Sequence, residues 1–322
     1  MSATHEPAAM SDPKPQPASS TITGKPQHPQ PVQFSQWRIL LWSIRRELWQ
    51  HRSIVFAPLA IGVVFVIGTL PAAFHASELI QQLETLPSGP RREILLGWPL
   101  MSASSMIQLG MFITALAYCL DALYSERRDR SILFWKSLPV SDTVTVISKA
   151  AIPLLVLPLV GFVIIVITLL TMAFVGSIAF AINDGPVSMI WTESRFGYIL
   201  QQLLYQSVIG TLWRAPVYGW LLLVSGWAPR VPVLWAVIPP AAVALLEWSF
   251  FGTSQANQMI SSRLRDGFDA AFEYASRSGG PGTMAFSDLM GFALSPALWA
   301  GLLVAALFIT ASVWRRRRAE PT

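Results

Sequence analysis

"AAIPLLVLPLVGFVIIVITLLTMAFVGSIAFAI", residues 150–182, runs for 33 positions without a charged side chain. At ~1.5 Å per residue, a helix of about 20 apolar residues crosses the ~30 Å hydrocarbon core of a bilayer. The stretch therefore reads as a membrane span, and it is long enough that it either tilts strongly or projects beyond the bilayer. Five further stretches meet the same requirement, at 54–74, 104–124, 203–227, 233–251 and 293–314. Of the 322 residues, 53% are hydrophobic and 13% charged, with a mean hydropathy of +0.48. Soluble domains carry about a quarter charged residues. These features predict an all-α integral membrane protein with six transmembrane helices, and they leave little chain for a soluble catalytic domain. A five- or seven-span arrangement is the alternative, because 197–227 also reads as an interfacial helix followed by a shorter span.

The basic residues follow topology. With the N-terminus inside and six spans, 16 Lys and Arg fall on the inner side and 6 on the outer, with Arg214 within a span. The "WRRRR" at 314–318, closing the last span, adds to the asymmetry, which predicts that both termini face the cytoplasm. Because the charge does not cluster on a soluble face, the pI near 9.7 does not point to nucleic acid. The lone cysteine, Cys119, lies in an apolar run. It excludes an internal disulfide and reads as a small core hydrophobe.

Outside the spans, residues 1–33 scatter seven prolines among Gln, Ser and Thr. Such a segment buries too little apolar surface to fold and is expected to be a disordered cytoplasmic tail ahead of a six-span domain at 34–322. No apolar segment with a cleavage site precedes that domain, so the first membrane helix is the expected anchor. In "FSQWRILLWSIRRELWQHR", residues 34–52, Trp37, Leu41, Ile44 and Leu48 recur at helical spacing opposite Arg38, Arg45, Arg46 and Arg52. This predicts an interfacial amphipathic helix over 34–53 in the inner headgroup layer; the alternative is the inner end of a long first helix. On the outer side, "SELIQQLETL" (77–86) and "SSRLRDGFDAAFEYASRS" (261–278) read as short amphipathic helices, the second within an external helical segment at 252–291.

Several chemistries lack their residues. A chain that hydrolyses ATP itself needs a G-x-x-x-x-G-K-[ST] loop to cradle phosphate, and "TGKP" at 23–26 has neither the upstream Gly nor the hydroxyl residue. There is no H-E-x-x-H or G-x-S-x-G. The four histidines, His5, His28, His51 and His75, lie in the tail or flank the first span. An enzyme is not expected, nor a cofactor or metal held by this chain. Asp121, Arg214 and Glu247 are ionisable groups in or near spans, which keeps an ion-coupled secondary transporter open.

Between the second and third spans lies "SERRDRSILFWKSLPVSD", residues 125–142, with seven charges around Ile132, Leu133, Phe134 and Trp135. A helix here has an acidic start at Glu126, an apolar patch at Leu133, Phe134 and Trp135, and Arg127, Arg128, Arg130 and Lys136 for charge steering. Pro139 ends it, and Ser141 with Asp142 caps the helix that follows. A solvated inner loop with no partner explains the arginines but leaves Phe134 and Trp135 in water.

Residues 118–149 resemble the cytoplasmic loop of type-2 ABC transporter permeases. The matching positions are Glu126 and Arg127, the small polar Ser131, the run 132–135, then Leu138, Pro139, Val140 and Lys149. Arg130 stands where that family often has Gly. The layout is also similar, and "LWRAPVYGWLLLVSGWAPRVPVLWAVIPP" (212–240) is similar to a bacterial subgroup. The resemblance implies a short cytoplasmic coupling helix that docks on a separate ABC ATP-binding subunit, with ATP and Mg bound there. It further implies a homodimer or a pair with a related permease, export of a hydrophobic or amphipathic substrate, and a bacterial cytoplasmic (inner) membrane location. A membrane scaffold without transport is the remaining alternative.

One further expectation comes from depth. Arg214 lies 13 residues from Trp227 and Glu247 lies 14 residues from Val233, about 20 Å each from one end of their helices. Two opposite charges at one level on consecutive spans predict an intramembrane ion pair. The alternative sends Arg214 to the outer headgroups and leaves Glu247 neutral or facing water.

Overall fold

The computed structural model describes residues 36–129, 141–265 and 286–318, which contain helices and connections but no strand. Helix α1 (Gln36–Gln50) is followed by α2 (Ser53–Phe74), α3 (Ala76–Thr85), α4 (Pro90–Asp121) and α5 (Tyr124–Arg128). From Ser141 onward come α6 (Asp142–Ala151), α7 (Leu157–Ile182), α8 (Ser188–Thr192), α9 (Phe196–Tyr205) and α10 (Thr211–Trp227). The last described elements are α11 (Pro232–Phe251), α12 (Gln255–Leu264), α13 (Phe286–Ala293) and α14 (Pro296–Arg318). Six stretches are long and apolar enough to cross a membrane: Ser53–Phe74, Pro90–Arg128, Asp142–Ile182, Ser188–Trp227, Pro232–Phe251 and Pro296–Arg318. The chain is an all-α membrane protein.

Two local irregularities explain why the long stretches remain continuous. A π turn, Ile152–Val156, joins α6 to α7; it contains Pro153 and is followed by Pro158, neither of which has an N–H for the helix ladder. The 41 residues of Asp142–Ile182 reach about 60 Å at ~1.5 Å each, twice a hydrocarbon core. The third span therefore projects, and the charged, amphipathic α6 is the surplus part. A second π turn, Gln206–Gly210, carries α9 into α10 without a break. Residues 197–227 thus form one helical path, not an interfacial helix followed by a separate short span. The second span also begins earlier than its apolar run, at Pro90 in the first turn of α4, where proline is favoured. Its polar start is paired with the segment around α8: Arg195 with Glu93 at 2.8 Å and Arg92 with Glu193 at 3.6 Å.

The core lies among α2, α4, α7 and α10, where Ile54, Ile107, Ile152, Ile165, Leu169, Leu222 and Val224 are fully buried. Helix α11 stands apart: of its side chains only Ala236 is buried, and apart from Glu247 near its end it is apolar all round. Helices α10 and α14 pack closely because Gly219 brings the backbones together. A β-carbon there would meet the Ala305 carbonyl oxygen at 3.1 Å and the Phe308 β-carbon at 3.2 Å. Without a hydrophobic force between helices in lipid, such close approach is what holds them. Gly219→Val is expected to cost about 1–3 kcal/mol by overpacking, read as a lower midpoint in detergent thermal unfolding. Val at Gly68, where a β-carbon meets nothing within 4 Å, is the control.

Candidate functional site

The end of the bundle that holds α1, α5, α6 and the last turn of α14 contains a buried cluster of six charges. It starts on α1. The face turned to the bundle holds Ser43 and Glu47, with Ile44 and Leu48 partly buried, while Trp37, Leu41, Trp42 and Trp49 are exposed. The apolar stripe expected from spacing is therefore split: half packs on the bundle and half is left for the membrane interface, together with exposed Arg38 and Arg45.

Glu47 has no exposed surface. Its carboxylate accepts from Lys149 Nζ at 3.0 Å, from Arg46 at 2.9 Å and from the Tyr118 hydroxyl at 3.1 Å. Lys149, at the end of α6, also pairs with Glu126 at 3.2 Å. Glu126 in turn is bound by Arg316 of α14, whose Nε reaches Asp142 at 3.0 Å. Three acids (Glu47, Glu126, Asp142) meet three bases (Arg46, Lys149, Arg316), so the cluster is neutral. Four of these residues, Glu47, Glu126, Lys149 and Arg316, are at most 7% exposed. Burial alone pushes the Glu47 carboxyl up, but the charges and hydrogen bonds of Lys149 and Arg46 outweigh it and hold the group below the ordinary carboxylate range.

The sequence explains how each member arrives. Ser141 caps α6 by accepting from the Val144 N–H at 3.3 Å, as expected, and this sets the helix on which Asp142 and Lys149 ride two turns apart. Arg127 donates to the carbonyls of Ser225 and Ala228, both at 2.8 Å, tying α5 to the end of α10. Thus the root of the 125–142 segment is joined to α1, α6, α10 and α14.

Of the residues expected to form a docking surface, Glu126 is turned inward and Arg127 is engaged with α10. Burial removes Glu126 from the set available to a partner. Arg128 is exposed and pairs with Asp129 at 3.0 Å. Arg130, Leu133, Phe134, Trp135 and Lys136 lie outside the described residues. The expected ion pair between Arg214 and Glu247 is not formed. Chain reversal at Gly252 (φ 64°) brings the start of α12 back onto Glu247, whose carboxylate accepts from Thr253 Oγ1 and the N–H groups of Gln255 and Ala256 at 2.6–2.7 Å. It satisfies the unpaired donors of a helix N-terminus. Arg214 instead lies over the Phe112 ring at 5.0 Å.

Glu47, Asp142 and Arg316 were not legible as site residues. The one available signal was Glu47 itself, a single acid in an otherwise basic interfacial helix. Among the described residues no group of three His, Cys, Asp or Glu is placed to hold a metal ion. No family model, curated protein or solved structure matches the chain.

Proposed function

We propose that this chain is the membrane-spanning subunit of an ATP-driven ABC exporter, acting with a separate ATP-binding subunit and as a homodimer or with a related permease. The observation that supports it most is the anchoring of the 125–142 segment. Its root at Glu126 and Arg127 is tied by ion pairs and hydrogen bonds to three other helices, α6, α10 and α14. A push delivered to that root therefore has a stiff route into the second, third, fourth and sixth spans. A solvated loop with no mechanical role needs no such anchorage. Glu247, engaged in a helix cap, gives less support to an ion relay through Arg214.

The test is Phe134→Ala with Trp135→Ala, co-expressed with a candidate Walker-A ABC ATPase subunit. Removing two interface aromatics is expected to weaken association by about 2–4 kcal/mol, seen as lost co-purification and lost coupled ATPase activity with membrane insertion intact. Undiminished co-purification and ATPase activity would sink the coupling role.

In this proposal the buried charge cluster faces the cytoplasm of a bacterial inner membrane, with both termini on that side. Single cysteines at Arg230 and Lys136 in a Cys119→Ala background are expected to resist an impermeant thiol reagent in intact cells, and cysteines at Gly89 and Asp184 to react. Labelling of positions 136 and 89 from the same side contradicts the orientation.

A further inference from the structure

Between the second, third and fourth spans lies a partly open cavity of about 50 Å³. Its lining includes Gln108, Phe112, Gln206, Thr211, Arg214 and Tyr218. Both π turns border it, the first through Pro153 and the second through Gln206 and Ser207. Such bulges re-aim side chains and recur at functional sites.

The position is inside the hydrocarbon. Arg214 is 13 residues from Trp227 and 18 from Phe196, about 20 Å and 27 Å along the helix. A guanidinium held at that depth marks a functional position by default. Gln206, only 8% exposed, has its Oε1 atom buried with no hydrogen-bond partner among the described residues. Its amide, turned about the terminal bond, presents an N–H donor instead. The space suits about three or four waters or one carboxylate or phosphate group, and it is too small for a whole lipid.

We propose that this cavity binds the oxyanion headgroup, a carboxylate or phosphate, of a single-chain amphiphile from the bilayer, with Arg214 as its counter-ion and Gln206 and Tyr218 as hydrogen-bond partners. A guanidinium and a desolvated oxyanion form the strong, charge-assisted class of hydrogen bond. Phe112, Met111 and Leu157 on the same walls meet the first carbons of the chain. The site lies within one subunit and is independent of the permease role proposed above, so it stands or falls without an ATP-binding partner.

The experiment uses full-length protein in phosphatidylcholine nanodiscs, irradiated with a diazirine-bearing palmitic acid and mapped by peptide mass spectrometry. Label is expected to concentrate in 105–118 and 204–220. Arg214→Gln is expected to reduce it at least about tenfold, while Arg214→Lys keeps most of it. Gln206→Leu, which retains the charge and reports even if Arg214→Gln fails to fold, is expected to reduce it severalfold. The corresponding diazirine fatty alcohol should label these segments no more than other lipid-facing helices. Retention of the label in excess inorganic phosphate assigns the headgroup to a membrane amphiphile. Its complete displacement by phosphate overturns that assignment, as does equal labelling by the alcohol or labelling unchanged in Arg214→Gln and Gln206→Leu.

Discussion

Lys149→Met is expected to destabilise the folded protein by about 3–5 kcal/mol, a fall of roughly 10 °C in the apparent midpoint of thermal unfolding in detergent. Lys149 Nζ sits between the carboxylates of Glu47 and Glu126, at 3.0 and 3.2 Å, and is itself only 3% exposed. Methionine fills most of the same volume, so the loss comes from charge and not from a cavity. It leaves two buried carboxylates facing each other, one still held by Arg46 and Tyr118 and the other by Arg316. Lys149→Arg, which keeps the charge, is expected to lose much less. A shift of under 2 °C for Lys149→Met would show that water reaches the cluster and that it carries little energy.

The same cluster predicts a pH dependence with a definite sign. Because the Glu47 carboxyl is held below its ordinary value, its contribution is fully present above the unfolded-state value of about 4.3. It is lost as pH falls through the lower folded-state value. Unfolding midpoints measured from pH 7 down to pH 3 should therefore drop below about pH 4.3, and Glu47→Gln should flatten that drop while lowering stability at neutral pH.

The second large effect separates one arginine from its three neighbours. Arg316→Ala is expected to cost about 3–5 kcal/mol, whereas Ala at Arg315, Arg317 or Arg318 costs about 0–1 kcal/mol, as for exposed charges. Arg316 is 6% exposed and binds both Glu126 and Asp142. The flanking three are exposed; Arg317 donates to the Thr143 hydroxyl at 3.1 Å, and Arg318 lies over the exposed Trp314 ring. Equal effects of all four substitutions in thermal unfolding would reduce the group to a topology signal. If the unequal result holds, the last helix is pinned to the root of the 125–142 segment, and motion of that segment carries α14 with it.

The sequence alone determined the membrane class and the six spans, since an uncharged run such as 150–182 has no stable setting in water and only a helix satisfies its backbone in lipid. It also determined the Ser141 cap, which depends on local geometry. Partnership across the bundle was decided by tertiary structure. Arg315 and Arg316 are adjacent and chemically identical, and only the rotation of α14 against α5 and α6 puts one in solvent and the other on two acids. Glu47 had the same ambiguity on α1, where a fully buried carboxylate shares one helix with exposed Trp42, five residues away, and exposed Trp37, ten residues away. Equal depth in Arg214 and Glu247 failed to pair them for a related reason. Helical rise sets height along an axis but not the direction a side chain faces, and the reversal at Gly252 brought three donors to Glu247 from closer by.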